Sequence, residues 1–103
     1  MPERFRVEIT KTAEQDMEEI YNYIESENPE AAFEFVKKLE KQISTLESFP
    51  TRCPMIPEAQ ELLLPYRHLL YGKYRTVVRV EGSIVYICRI IHGARLLDLS
   101  ALE

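Results

Sequence analysis

The sequence predicts an α+β domain with its elements in the order β-α-α-β-β-β. Three observations carry that order. The stretch from Tyr66 to Arg95 reads as three consecutive strands, dense in β-branched residues at Val77, Val78, Val80, Ile84, Val85, Ile87, Ile90 and Ile91. Two apolar stripes at helical spacing precede it, separated by Asn28-Pro29. Ahead of both, Phe5, Val7 and Ile9 alternate with Arg4, Arg6, Glu8 and Thr10.

That first alternation has period 2, so it is a strand with one buried face. It must join the sheet to bury that face, at an edge or in the middle. Thr12-Ala13-Glu14-Gln15 then fits a capping box, with Thr12 as N-cap and Gln15 at N3. Glu14, Asp16, Glu18 and Glu19 crowd the first turns, where the helix dipole favours negative charge. Ala13, Met17, Ile20, Tyr21 and Ile24 form the apolar stripe of this helix. Asn28 is a good N-cap for the next helix, and Pro29 fits its first position, where a missing N–H loses nothing. The second helix is expected to run from Pro29 to Ser48, roughly 30 Å, and to bury Ala32, Phe35, Val36, Leu39, Ile43 and Leu46. The very short connection makes the two a helix hairpin that covers one face of a sheet.

Thr51 to Pro65 is a connector carrying Pro54, Pro57 and Pro65. Glu58 to Leu63 within it reads either as a helical turn or as an early start of the next strand. Three strands follow, at Tyr66–Tyr71, Tyr74–Glu81 and Ile84–Ile91. Gly72-Lys73 and Glu81-Gly82-Ser83 are short enough for hairpin turns, each with a glycine that tolerates positive φ. The last strand is apolar on both alternations, with Ile84, Tyr86, Cys88 and Ile90 expected on one side and Val85, Ile87 and Ile91 on the other. Such a strand is expected to be buried on both faces. The helix hairpin covers only one, so an apolar patch is expected to stay exposed on the other, with the connector over part of it.

At 103 residues, 46% hydrophobic and 29% charged, the chain is expected to form one domain, residues 1–103, with its own core. No apolar run approaches ~20 residues, so no membrane partner is expected. Met1 to Ile9 has no signal-peptide apolar region, so a cytoplasmic location is expected, with Cys53 and Cys88 as reduced thiols. The net charge of −4 is uneven: −6 over residues 1–50 and +2 over residues 51–103. The acidic balance argues against nonspecific nucleic-acid binding by the whole surface, which needs several uncompensated cations.

Candidate chemistry lies in the sheet half. Arg67, Arg75, Arg79, Arg89 and Arg95 interrupt the apolar strands. A guanidinium is costly to bury unpaired, so these are expected on one open face or at strand ends. There they can bind phosphate or carboxylate bidentately, or simply pair with the carboxylates of the helical half. His68 and His92 can act as acid or base near neutral pH, or serve as ordinary hydrogen-bonded histidines. Two histidines without partners at ligand spacing do not make a zinc site, and no metal or cofactor is expected. Tyr66, Tyr71, Tyr74 and Tyr86 can stack on bases, though strand tyrosines more often line a core edge. No phosphate-binding glycine loop, nucleophile elbow or dinucleotide fingerprint is present.

Tyr74-Arg75-Thr76-Val77-Val78-Arg79-Val80 and Ile90-Ile91-His92-Gly93-Ala94-Arg95, in this order after the strand and the two helices, resemble the RelE/ParE superfamily, the toxins of type II toxin–antitoxin modules. The second motif resembles the ParE-like branch of plasmid stabilisation proteins, with Leu96 where that branch has aspartate and Asp98 two positions on. The resemblance spans the chain. It implies a helix hairpin packed on a small, strongly twisted antiparallel sheet. It also implies a cognate antitoxin as partner, in a hetero-oligomer, and one of two activities. ParE-like members bind and poison DNA gyrase without chemistry of their own. RelE-like members are ribosome-dependent endoribonucleases that cut mRNA through its 2′-hydroxyl. On the ribonuclease pattern Arg75 and Arg95 match the phosphate-binding arginines. The expected basic pair falls at Tyr66 and His68, and the C-terminal tyrosine falls near Ala101, leaving His68 or His92 to move the proton. The incomplete set favours gyrase inhibition; a nontoxic, degenerate member is a further alternative. On either activity, Arg67, Arg75, Arg79, Arg89 and Arg95 are the expected antitoxin- or target-binding residues, with the first four rimming an open face that receives an acidic amphipathic antitoxin segment.

Overall fold

The computed structural model describes residues 4–48, 53, 54, 56 and 66–92. The elements are β1 (Arg6–Ile9), α1 (Lys11–Glu27), α2 (Pro29–Thr45), β2 (Tyr66–Tyr71), β3 (Tyr74–Glu81) and β4 (Ile84–His92). The four strands form one sheet in the order β1-β4-β3-β2. β2, β3 and β4 are antiparallel neighbours joined by two-residue turns. Gly72 and Gly82 open those turns at φ +54° and +60°, a region that only glycine enters without strain.

The sheet is mixed rather than wholly antiparallel. β1 lies at an edge and runs parallel to β4, with Arg6 opposite Ile84 and Ile9 opposite Ile87. The physical reason is connectivity. Only strands joined by tight turns are obliged to run antiparallel, and β1 leaves the sheet through the helix hairpin.

The first helix is capped by Thr10, not Thr12. The Thr10 hydroxyl oxygen accepts from Ala13 N at 3.2 Å and directs its proton at the carbonyl oxygens of Ile87 (2.9 Å) and Cys88 (3.2 Å). Thr10 follows β1 directly and is held against β4, which fixes where the helix can begin; Thr12 sits one turn-step later and is exposed. Asn28 serves both helices. Its backbone N–H closes α1 on Ile24 O, and its side chain accepts from Ala31 N to open α2, with Pro29 at the first position. The regular part of α2 ends at Thr45 and a turn continues to Ser48.

Both helices lie on one face of the sheet. There Ala13, Phe35, Leu39 and Leu46 meet Val78, Val85, Ile87 and Ile90, with Met17, Ile20, Ile24, Val36 and Ile43 packed around them. The opposite face holds a second cluster: Ile56, Tyr66, Val77, Cys88 and Ile91. β4 is therefore apolar on both faces, as expected, but its residues divide differently. Val77 is opposite Arg89 while Val78 is opposite Ile87, so Cys88 is a bulge residue with no partner. The extra residue reverses the alternation. It places Ile90 with Val85 and Ile87 under the helices, and Tyr86, Cys88 and Ile91 on the other side.

The second face is closed, contrary to the exposed apolar patch expected there. Val77, Cys88 and Ile91 are buried, and Ile56 is wholly so. Pro54 and Ile56 of the connector lie at the outer edge of β2, where Ile56 N donates to Tyr66 O and His68 N donates to Pro54 O. This pairing brings Ile56 onto the face that the helices leave open.

Candidate functional site

The alternation of β3 sets Arg75, Val77 and Arg79 on one face, the side away from the helices. β2 sets Tyr66, His68 and Leu70 beside them: Tyr66 opposite Arg79, His68 opposite Val77, and Leu70 opposite Arg75. From β4, Tyr86 lies opposite Arg79 and Ile91 opposite Arg75. Two guanidinium groups and one imidazole thus surround the Val77–Cys88–Ile91 cluster.

The two arginines differ in access. Arg75 is 4% exposed, and His68 beside it is also buried. The Arg79 side chain is 31% exposed. Its guanidinium carbon sits 5.0 Å from the centre of the Tyr86 ring, a cation–π contact. One of its terminal nitrogens is 3.3 Å from Glu81 Oε2. Its Nε is buried with no hydrogen-bond partner among the described residues. Tyr86 is among the strand tyrosines that the sequence marks, whereas Glu81 is not among its candidates, and the sequence reading ties neither to Arg79. Their signal is weak but legible: Glu81 shares a strand face with Arg79, and Tyr86 falls opposite it once the turn is placed.

The other candidates are distributed elsewhere. Arg67 has the opposite parity on β2 and donates to Cys53 O at 2.7 Å, which ties the connector to the sheet. Arg89 does not rim the face. Its Nε and one terminal nitrogen donate to the two carboxylate oxygens of Asp16, at 2.7 and 3.2 Å. Asp16 also accepts from Ile90 N at 3.0 Å, so it occupies the edge of β4 just past the end of β1. This carboxylate hydrogen bond raises the Arg89 pKa against the opposing effect of burial. Asp16 is 73 residues away in sequence, and no local pattern could reveal the pair.

His92 ends β4 on the helix side. Its ring meets Tyr74 edge-on at 5.9 Å, and Tyr74 meets Phe35 likewise at 5.3 Å. His68 and His92 therefore belong to different faces. Arg95, with Gly93 and Ala94, lies outside the described residues. Cys53 and Cys88 are free, buried thiols, and burial raises the pKa of each. Among the described residues no group of His, Cys, Asp and Glu is arranged to hold a metal ion, and no helix is long and apolar enough to cross a membrane.

Residues 7–97 match the family model described as the ParE toxin of the type II toxin–antitoxin system parDE. Two solved structures have a similar fold. A chain of the chromosomal ParDE system from P. aeruginosa is 21% identical with a TM-score of 0.69, over 86% of this chain and 96% of that one. A chain of the RelBE2 toxin–antitoxin complex from Mycobacterium tuberculosis is 22% identical with a TM-score of 0.57, over 86% and 98%. No curated protein matches. With two helices on one face of a four-stranded mixed sheet and a family match over nearly its whole length, the chain belongs to the ParE toxin family of type II toxin–antitoxin systems.

Proposed function

We propose that this toxin acts by binding DNA gyrase, without chemistry of its own, and that a cognate antitoxin neutralises it. The observation that carries this reading is the match to the ParE model over residues 7–97. The two similar structures come from toxin–antitoxin systems, which supports an antitoxin partner in a hetero-oligomer. Arg79 is the strongest contact residue on the cationic face, because its guanidinium is partly exposed and pre-oriented on Tyr86. Arg75 supports the face from within, and a partner reaches it only by moving what covers it. Arg95 remains a proposed contact. An acidic antitoxin segment would meet this face through arginine–carboxylate pairs.

Ribosome-dependent mRNA cleavage is the second reading. One observation favours it: His68, Arg75 and Arg79 share a face, so a proton-transfer group adjoins two groups able to stabilise charge on a phosphate. Purified gyrase and primer extension on translated mRNA separate the two. Loss of supercoiling at micromolar toxin, reversed by Arg79→Glu with the fold intact, is the expected result. Codon-phased mRNA cuts with unimpaired supercoiling would select the ribonuclease. Neither effect, with normal growth under strong induction, would mark a nontoxic member.

A further inference from the structure

Arginine and carboxylate come in matched pairs along this sheet. On β1, Arg6 Nε pairs with Glu8, two residues on. On β3, Arg79 pairs with Glu81, again two residues on. Residues two apart on a strand share a face, so the backbone period itself sets each cation beside its counter-charge. Elsewhere the match comes from another part of the chain: Arg4 stands 4.0 Å from Glu47, and Arg89 is bound by Asp16.

The Arg79–Glu81 pair is the one that lies on the cationic face. Glu81 ends β3, just before the Gly82 turn, and its side chain is 66% exposed against 31% for Arg79. An ion pair this open to water is weak, because solvent screens it. Glu81 can therefore leave the contact at little cost, while Tyr86 keeps the guanidinium where it is. The charge of Glu81 does not leave with the contact. It stays at the end of the same strand, close to anything that approaches Arg79. A phosphodiester backbone brings negative charge alone, so it would displace one anion and then remain beside it. A protein segment can bring both signs. Its carboxylate takes the place of Glu81 on Arg79, and its ammonium takes up the displaced Glu81.

We propose that Glu81 is a specificity-determining residue of the Arg79 site. It turns nucleic-acid phosphate away and admits an extended protein segment that carries a carboxylate and an ammonium two residues apart. On an extended segment that spacing sets both groups on one face, matching Arg79 and Glu81 in period. This role rests on Arg79 being a contact residue, as proposed above, and fixes the class of partner that Arg79 accepts.

The test uses the full chain and two fluorescein-labelled probes: a 12-residue peptide of Glu-Val-Lys-Val repeats and a 12-nucleotide oligouridylate. Glu81→Gln is expected to move the two affinities in opposite directions, with the circular dichroism spectrum unchanged. The RNA should bind this variant about tenfold more tightly at low salt, the gain shrinking as salt rises. The peptide should bind it about threefold more weakly, because its lysines lose their partner. Adding Arg79→Gln should abolish the RNA gain, which assigns it to Arg79 rather than to the overall charge. Equal RNA affinity before and after Glu81→Gln would overturn the proposal. So would a peptide affinity that is unchanged or rises, an RNA gain that survives Arg79→Gln, or a peptide that fails to bind at millimolar concentration. Supercoiling by gyrase is measured separately. Unimpaired supercoiling, with the opposed shifts intact, would sink the gyrase reading and leave the role of Glu81 standing.

Discussion

On the helix side of the sheet, Val78, Val85, Ile87 and Ile90 meet Phe35, Leu39 and Leu46, with half-buried residues of both helices packed around them. On the other side, Val77, Cys88 and Ile91 meet Ile56 from the connector, with Tyr66 and Tyr86 at the margins and His68, Arg75 and Arg79 among them. The first face is closed by two regular elements that bury little but hydrocarbon. On the second, Ile56 is the connector residue described in the apolar cluster, and the face also carries cations. Buried guanidinium groups subtract from what apolar contact contributes. The two sides of one sheet thus differ in kind: hydrocarbon packed under helices on one, and apolar residues sharing their space with cations on the other.

The same kind of deletion on each face sharpens that contrast. Leu39→Ala, under the helices, is expected to cost about 4 kcal/mol, because a rigid two-helix layer cannot collapse into the cavity. Ile56→Ala is expected to cost about 2 kcal/mol, the low end for such a change, because a connector segment can settle inward. Urea unfolding measures both. A larger loss at Ile56 than at Leu39 would reverse this contrast.

The smallest effect concerns the thiols. Burial holds the Cys53 and Cys88 pKa above the usual thiol range, so little thiolate forms at neutral pH and alkylation by iodoacetamide should be far slower than in urea. Cys88 belongs to the cluster with Ile56 and Cys53 to the helix-side cluster. Cys88 should therefore be the thiol accelerated more by Ile56→Ala, and Cys53 the one accelerated more by Leu39→Ala. Mass spectrometry of the alkylated sites reads the order directly.

Much of this architecture is legible in the sequence. Period-2 and helical stripes place every described element, and Asn28-Pro29 fixes the helix break to the residue. What escapes is set by contacts distant along the chain. Thr10 caps α1 because it is anchored to Ile87, a tie that no local pattern records. The bulge at Cys88 reverses the alternation of β4 without any glycine or proline to announce it. The parallel pairing of β1 follows from the return path of the helix hairpin. Of the candidate site, the company of Arg75, Arg79 and His68 follows from strand parity and hairpin register. The removal of Arg89 from it does not, because Asp16 lies on another element, and the burial of Ile56 against this face is recorded by no strand or helix pattern.

The placement of β1 beside β4 has a consequence for how the molecule is made. Thr10 and Ile87 stand 77 residues apart, so β1 has no partner in this sheet until β4 has been synthesised. At roughly 5–20 residues per second, that wait is on the order of 4–15 s. The helix hairpin can form during this interval from local contacts, but its apolar stripe has no sheet to lie on. Completion of the sheet therefore waits for β4, and a nascent chain cut short before β4 cannot hold the arrangement that sets Arg79 on Tyr86.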